Sequence, residues 1–252
     1  TLSNVKDFDL LGTAAQRKRF LNSQVNEMYS FMGAEISEIG QKLKDRIRRV
    51  LEEGKDPRKG LKDIEVPNAN QYRLNLRERL ATIAELGYIN AQSYYKKNRK
   101  QNLFGKARNL FGLDSTKYKG LPTSLRVYVE NEAQNLAEDQ MINLRVKAIY
   151  TAENGINRGF SVSQTLAEIE KTINEYISSN KIHAGADNAV TTGLNESEQT
   201  FYKEEVSDDL YAFEYVAIDD DRTTKYCEWL NGHFYTPFGS VYSQIVPPRH
   251  YN

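Results

Sequence analysis

At 252 residues, with 39% hydrophobic and 27% charged side chains, the chain has the mass for one large domain or two modest ones, and its composition is that of a folded, rather polar protein. No run of about 18 apolar residues occurs, which excludes a membrane-spanning helix, and a single cysteine excludes an internal disulfide. The formal charge is zero, yet residues 1–125 carry 24 Lys and Arg against 14 Asp and Glu, whereas residues 126–252 carry 10 against 20. Such a split points to two surfaces with different partners, the basic one suited to nucleic acid or an acidic protein, unless the halves are simply solvated helices facing each other.

In chain order, the start TLSNVKDFDLL lacks a basic lead into a long apolar core and is not expected to be a signal peptide. A first helix is expected over 13–31, with Thr13 as cap, Phe20, Leu21, Val25, Met28 and Phe31 as apolar positions, and Gly33 as its stop. A second, over 34–53, sets Ile36, Ile39, Leu43, Ile47, Val50 and Leu51 at three- and four-residue spacing, one apolar stripe on a charged helix ended by Gly54 and Pro57. After a connector at 60–67, a third helix over 71–97 uses Leu74, Leu76, Leu80, Ile83, Leu86, Ile89 and Tyr94.

Lys96, Lys97, Arg99, Lys100, Lys106 and Arg108 then stand among Tyr94, Tyr95, Phe104 and Phe111. Positive charge interleaved with aromatics can hold phosphates and stack on exposed bases. The plainer reading is a solvated helix end followed by a loop, marked by Gly105, Gly112 and Gly120, whose aromatics pin it to the core.

A fourth helix is expected over 125–155, with Val129, Ala133, Leu136, Met141, Leu144, Ala148 and Ile149 inward and Gly155 as its stop. Ser161 or Ser163 caps the next, which runs through Leu166, Ile169, Ile173 and Ile177. A last long helix over 182–206 turns Ala186, Ala189, Val190, Leu194 and Phe201 inward. His183 at its start reads as a surface or packing residue rather than a catalyst.

The closing stretch, 219–252, holds the only cysteine (Cys227), the only tryptophan (Trp229), two of the three histidines (His233 and His250) and three of the six prolines. A strand over 212–218 is expected to deliver Asp219, Asp220 and Asp221 to a loop. A short helix over 222–230, the Asn231-Gly232 turn and a second strand over 233–236 follow, and the chain then loops through Pro237 and Gly239 to Pro247, Pro248, Arg249 and His250.

Three adjacent acids suit a hard cation by residue type, but side chains on an extended strand alternate between faces, so the three cannot all converge. Turn-building hydrogen bonds from Asp220 or Asp221 are the preferred role. Cys227 and His250, with His233 as a third, are zinc-ligand types. A tetrahedral site takes four ligands and the stretch offers three, so the expectation is no cofactor, with zinc on Cys227 and His250 as the alternative. The plain reading makes Cys227 and Trp229 core residues and lets His250 close the fold by hydrogen bonding. No Gly-rich phosphate loop, Ser-His-Asp order or pair of catalytic carboxylates is legible, and no enzyme is expected.

The order of Asp220 or Asp221, Arg222, Thr223, Cys227, Leu230, Asn231, Gly232, Pro247, Pro248, His250 and Asn252 resembles the closing pattern of the phage minor head proteins, the head morphogenesis family. The likeness is direct over 219–252 and looser over 133–205. It implies a structural protein of a tailed phage, present in few copies and bound to the portal at the vertex or interior of the head, that assists head assembly and DNA packaging or delivery. Implied partners are the portal protein, a major capsid or scaffold protein, and phage DNA. The implied location is the virion, and the host cytoplasm during assembly. Asp221, Arg222, Cys227, Gly232, Pro248 and His250 would hold the closing module together, and the 96–108 region would contact DNA or the portal.

Two departures stand out. Thr224 or Lys225 lies where the family commonly has a second Cys, and the sequence ends at Asn252, before the family's Cys-Arg pair. The resemblance therefore implies a polypeptide continuing past Asn252, whose next Cys would supply a fourth zinc ligand. Two other readings are a nucleic-acid-binding accessory protein unrelated to virions and a carrier module for a toxin or transferase domain outside this chain. The expected fold is mainly α with a small C-terminal α+β module, long amphipathic helices followed by a short strand-loop-strand segment. The expected division is 1–122, basic and helical with a basic, aromatic loop near 95–122, and 123–252, acidic and ending in the module at about 209–252.

Overall fold

The computed structural model describes residues 14–53, 56–99, 120–206, 213–214, 225–230 and 232–235. The described chain is mainly α-helical: α1 (Ala14–Glu52), α2 (Pro57–Lys62), α3 (Ala69–Arg99), α4 (Thr123–Asn157), α5 (Val162–Ile177), α6 (Asn180–Glu205) and the short α7 (Lys225–Leu230). Two two-residue strands, β1 (Phe213–Glu214) and β2 (Phe234–Tyr235), pair antiparallel with Phe213 opposite Tyr235 and Glu214 opposite Phe234. Of the strands expected over 212–218 and 233–236, His233 is described and stands just before β2 rather than in it, and the remaining positions lie outside the described residues.

Chain packing divides into two compact units, each drawn from distant segments. One comprises Lys18–Thr82 and Arg126–Val190, and the other Thr1–Arg17, Ile83–Leu125 and Thr191–Asn252. Each unit takes chain from both sides of the 122/123 charge boundary, so charge and packing divide the sequence differently.

In the first unit, Phe20, Val25, Met28, Met32, Ile36, Ile39, Leu43 and Ile47 of α1 recur at three-, four- or five-residue spacing and are all buried, one stripe on one helix face. That stripe runs unbroken through Gly33, so 13–31 and 34–53 form one helix rather than two. Gly33 stops nothing because its missing side chain is needed for packing: a Cβ there would stand 3.3 Å from Ile177 Cγ2. Two turns on, a Cβ at Gly40 would meet Ile173 Cγ2 at 2.7 Å. The two pairings, 33 with 177 and 40 with 173, run in opposite senses, so α1 and α5 are antiparallel. Tyr29 donates to the Ile177 carbonyl at 3.2 Å and Lys44 Nζ lies 2.9 Å from Glu170 Oε2 along the same seam.

Gly155 likewise lies inside α4, which continues to Asn157, and packs where a Cβ would collide with Thr165. Ser161 is the cap of α5: its Oγ accepts from the Gln164 amide at 3.3 Å, and the Gln164 side chain accepts from the Ser161 amide at 2.9 Å. This reciprocal capping box satisfies two otherwise unpaired helix-start donors. Helix α2 was not expected from the sequence. Asp56 caps it, its side chain accepting from the Lys59 amide, and Pro57 occupies the first turn, where a missing N–H costs nothing. Arg145 of α4 fixes the following connector by donating to the carbonyls of Ile64 (2.6 Å) and Lys62 (2.5 Å).

The polar centre of this unit is Gln140 of α4, 2% exposed. Its side-chain carbonyl accepts from the Tyr72 hydroxyl of α3, and its backbone carbonyl accepts from the Tyr176 hydroxyl of α5 at 3.3 Å. Burial pushes the Tyr72 hydroxyl well above its usual range, with Tyr176 and Glu35 adding to the shift. Burial, then Asp139, raises Tyr176. Both phenols stay protonated and serve as donors. Glu35 accepts from Asn75 at 3.0 Å, and Arg73 and Arg77 of α3 pair with Glu130 of α4.

The second unit is built where α3 and α6 run parallel. A Cβ on Gly87 would lie 2.8 Å from the Leu194 carbonyl oxygen, an approach only glycine allows. Above that crossing, Phe201 is fully buried and takes Tyr88, Tyr95 and Tyr202 edge-on at ring-centroid distances of 5.3, 6.0 and 5.4 Å. Ala91, Leu125 and Val206 complete the cluster. Tyr88 also donates to Glu205 at 3.2 Å, and Asn90 to Glu198 at 3.1 Å.

Two stability outcomes follow from the first unit. Tyr72→Phe leaves the Gln140 carbonyl buried without its donor and is expected to cost about 1–3 kcal/mol in urea unfolding. Adding Gln140→Met should recover much of that loss, because both polar partners are then gone. Glu132 of α4 is half-buried, and burial raises its carboxyl above the usual range. A raised folded-state value means a contribution present below the ordinary carboxylate range and lost as pH rises through the folded value. Glu132→Gln should therefore raise the urea midpoint at neutral pH, and the gain should vanish below about pH 4.

Candidate functional site

Two regions carry the residues singled out by sequence: the closing segment and the basic end of α3. In the closing segment, Leu230 ends α7 and is buried, 1% exposed. Its carbonyl accepts from the His233 amide at 3.0 Å and lies 3.2 Å from His233 Nδ1. Between them Gly232 holds φ at +76°, the left-handed conformation that glycine adopts without a Cβ clash just past a helix end. Trp229, 61% exposed, sets its ring 5.1 Å from the His233 ring at a 34° tilt. The tryptophan expected in the core is therefore on the surface, stacked beside a histidine.

Cys227 is the third residue of α7. Asp220, Asp221, Arg222, Thr223, Pro247, Pro248 and His250 lie outside the described residues, as does the pairing of Cys227 with His250 that zinc would require. Among the described residues, no group of three or more His, Cys, Asp or Glu is placed to hold a metal ion.

Lys96, Lys97 and Arg99 fall in the last turn of α3, which runs to Arg99, so the basic stretch begins on a helix. Lys100, Lys106 and Arg108 lie outside the described residues. One turn before Arg99, the ring of Tyr95 packs on Phe201, so this aromatic ties the helix end to the second unit's core. Gly120, where description resumes, has φ of +92°.

Elsewhere, an open groove along α1 is lined by Arg19, Asn22, Ser23, Asn26, Glu27, Ser30, Phe31 and Arg79, with the Arg79 guanidinium 5.3 Å over the Phe31 ring. The groups with shifted protonation, Tyr72, Tyr176 and Glu132, do not line it. His183 stacks on Tyr29 at 5.4 Å, a packing role as expected from the sequence. Comparison with family models, curated proteins and solved structures finds no match.

The Gly232 turn gives a local test. Nothing lies within 4 Å of a Cβ built there, so Gly232→Ala meets only the backbone cost of a left-handed residue, about 1 kcal/mol. The sole tryptophan reports it: the Trp229 emission should change at lower denaturant in the variant, and Gly232→Asn should lose less, because asparagine tolerates this conformation.

Proposed function

We propose that this chain is a structural minor head protein of a tailed bacteriophage, bound to the portal at the vertex or interior of the head and assisting head assembly and DNA packaging or delivery. The observation that carries the reading is the ordered set from Asp220 and Asp221 through Arg222, Thr223, Cys227, Asn231 and Gly232 to Pro247, Pro248, His250 and Asn252. Many uncommon residues recur there in the family's order. Within this reading, residues 209–252 form a small α+β module, of which β1, α7, the Gly232 turn and β2 are the described pieces. Its motif residues act structurally, and no catalytic step is assigned to them.

The surfaces that meet the portal and DNA are proposed at the basic stretch. Lys96, Lys97 and Arg99 continue α3 beyond the aromatic cluster around Phe201, and Lys100, Lys106 and Arg108 add charge just after. A run of cations at the end of a helix tied to an aromatic cluster supports a role in meeting phosphate or acidic side chains. The same stretch supports the second reading, an accessory nucleic-acid-binding protein outside the virion.

Quantitative peptide mass spectrometry of purified virions of the encoding phage separates the two. The expected result is this chain at a few copies per portal ring. Its absence from heads that contain normal portal would contradict the virion reading and leave the accessory binder.

A further inference from the structure

The first half of α1 carries an exposed face unlike that of the second. Asn22, Ser23, Asn26 and Ser30 stand exposed there, with Glu27 among them. Further on, Ala34, Glu38, Gln41, Arg46, Arg49 and Glu52 hold exposed positions, with Ser37 the exception. Asparagine and serine form helix less well than the alanine, glutamate, glutamine or arginine that exposed positions favour, because their short polar side chains compete for the backbone. Four of them within 22–30 weaken the helix where no packing requires them. Residues that break a local rule without a packing reason mark a site with a function.

These side chains line the groove that Phe31 and Arg79 bound at one end. Its volume is about 740 Å³, the size that takes a small ligand. From Arg19 to Phe31 it follows the helix for roughly 18 Å. Every lining residue belongs to the first unit. Among the described residues, the side chains of Asn22, Ser23, Asn26, Glu27 and Ser30 hydrogen-bond to no other residue, and Arg79 is held only by its contact over the Phe31 ring. The groove thus offers amide, hydroxyl and guanidinium donors together with amide, hydroxyl and carboxylate acceptors, none of them spent on the protein.

That mixture decides among ligands. A phosphate chain brings only acceptors and negative charge, so the Glu27 carboxylate and the two asparagine carbonyls oppose it. An extended peptide matches donors and acceptors but needs pockets for its side chains, and the one apolar ring here lies under Arg79. A sugar hydroxyl is donor and acceptor at once and carries no charge, so it satisfies amide, hydroxyl, carboxylate and guanidinium alike. We propose that this groove binds a neutral linear oligosaccharide. Asn22 and Asn26, one helical turn apart, take hydroxyls of successive sugar units, with Glu27 accepting beside them and Arg79 donating at one end. The inference stands apart from the virion reading, since it uses neither the closing segment nor the basic end of α3.

The test uses the full chain and neutral tetrasaccharides of the maltose, cellulose, mannan and N-acetylated chitin types, with polyphosphate and a serine–glycine peptide as competing classes. Binding is read by titration calorimetry and saturation-transfer NMR at low and high salt. At least one tetrasaccharide should bind with a Kd of about 1 mM or below, and salt should change it little because the ligand is uncharged. Arg79→Ala should weaken that binding about tenfold. The triple variant Ser23→Ala, Asn26→Ala, Ser30→Ala should abolish it and yet raise the urea midpoint, because alanine is the better helix former. Loss of binding in a more stable protein separates a lost ligand contact from a damaged fold. Binding of no tetrasaccharide, tighter binding of polyphosphate that Arg79→Ala removes, preference for the peptide, or sugar binding untouched by the triple variant would overturn the proposal.

Discussion

The hydroxyl of Tyr72 reaches the side chain of Gln140 inside the first unit while Tyr176 donates to the backbone of the same residue, and this junction of α3, α4 and α5 constrains everything packed around it. An amide buried to 2% exposure must find its partners inside the protein, and it finds them only at one axial position of each helix. Apolar stripes alone tolerate sliding by a turn, since the next leucine serves as well as the last. The Tyr72–Gln140–Tyr176 contacts remove that freedom. Nearby, α6 approaches closely at Gly185, where a Cβ would lie 3.6 Å from Gln140 Nε2 and from the methyl of Met32.

Glycine carries the second constraint. At Gly33, Gly40, Gly87 and Gly155 the absent side chain is the space into which a neighbouring helix fits. Each glycine weakens its own helix by roughly 1 kcal/mol relative to alanine. Closer helix packing offsets that cost by letting large side chains such as Ile173 bury against backbone.

The long helices were legible in the sequence because a 3.6-residue apolar period survives over many turns, as in the run from Ile36 to Ile47. What failed was punctuation. Gly33 and Gly155 look identical as sequence whether they end a helix or admit a neighbour, and only the partner, Ile177 or Thr165, distinguishes the cases. Tyr72 and Tyr88 were missed as core positions because a phenol is polar until an acceptor meets its hydroxyl, here the buried Gln140 for the one and the exposed Glu205 carboxylate for the other. Trp229 failed in the opposite sense: size suggested burial, but a two-turn helix ending at Leu230 leaves its ring beside His233 at the surface. The closing motif rests on an order of rare residues rather than on periodicity, and most of its residues lie outside those the structure describes.

The proposed minor head reading joins that motif to a helical body whose third helix ends in a basic stretch. Its most direct test is an asymmetric cryo-electron microscopy reconstruction of the portal vertex in the phage that encodes the chain. The account predicts helical density against the portal, including one uninterrupted helix of about 58 Å for the 39 residues of α1. A vertex whose density is fully explained by portal, capsid and DNA would contradict it.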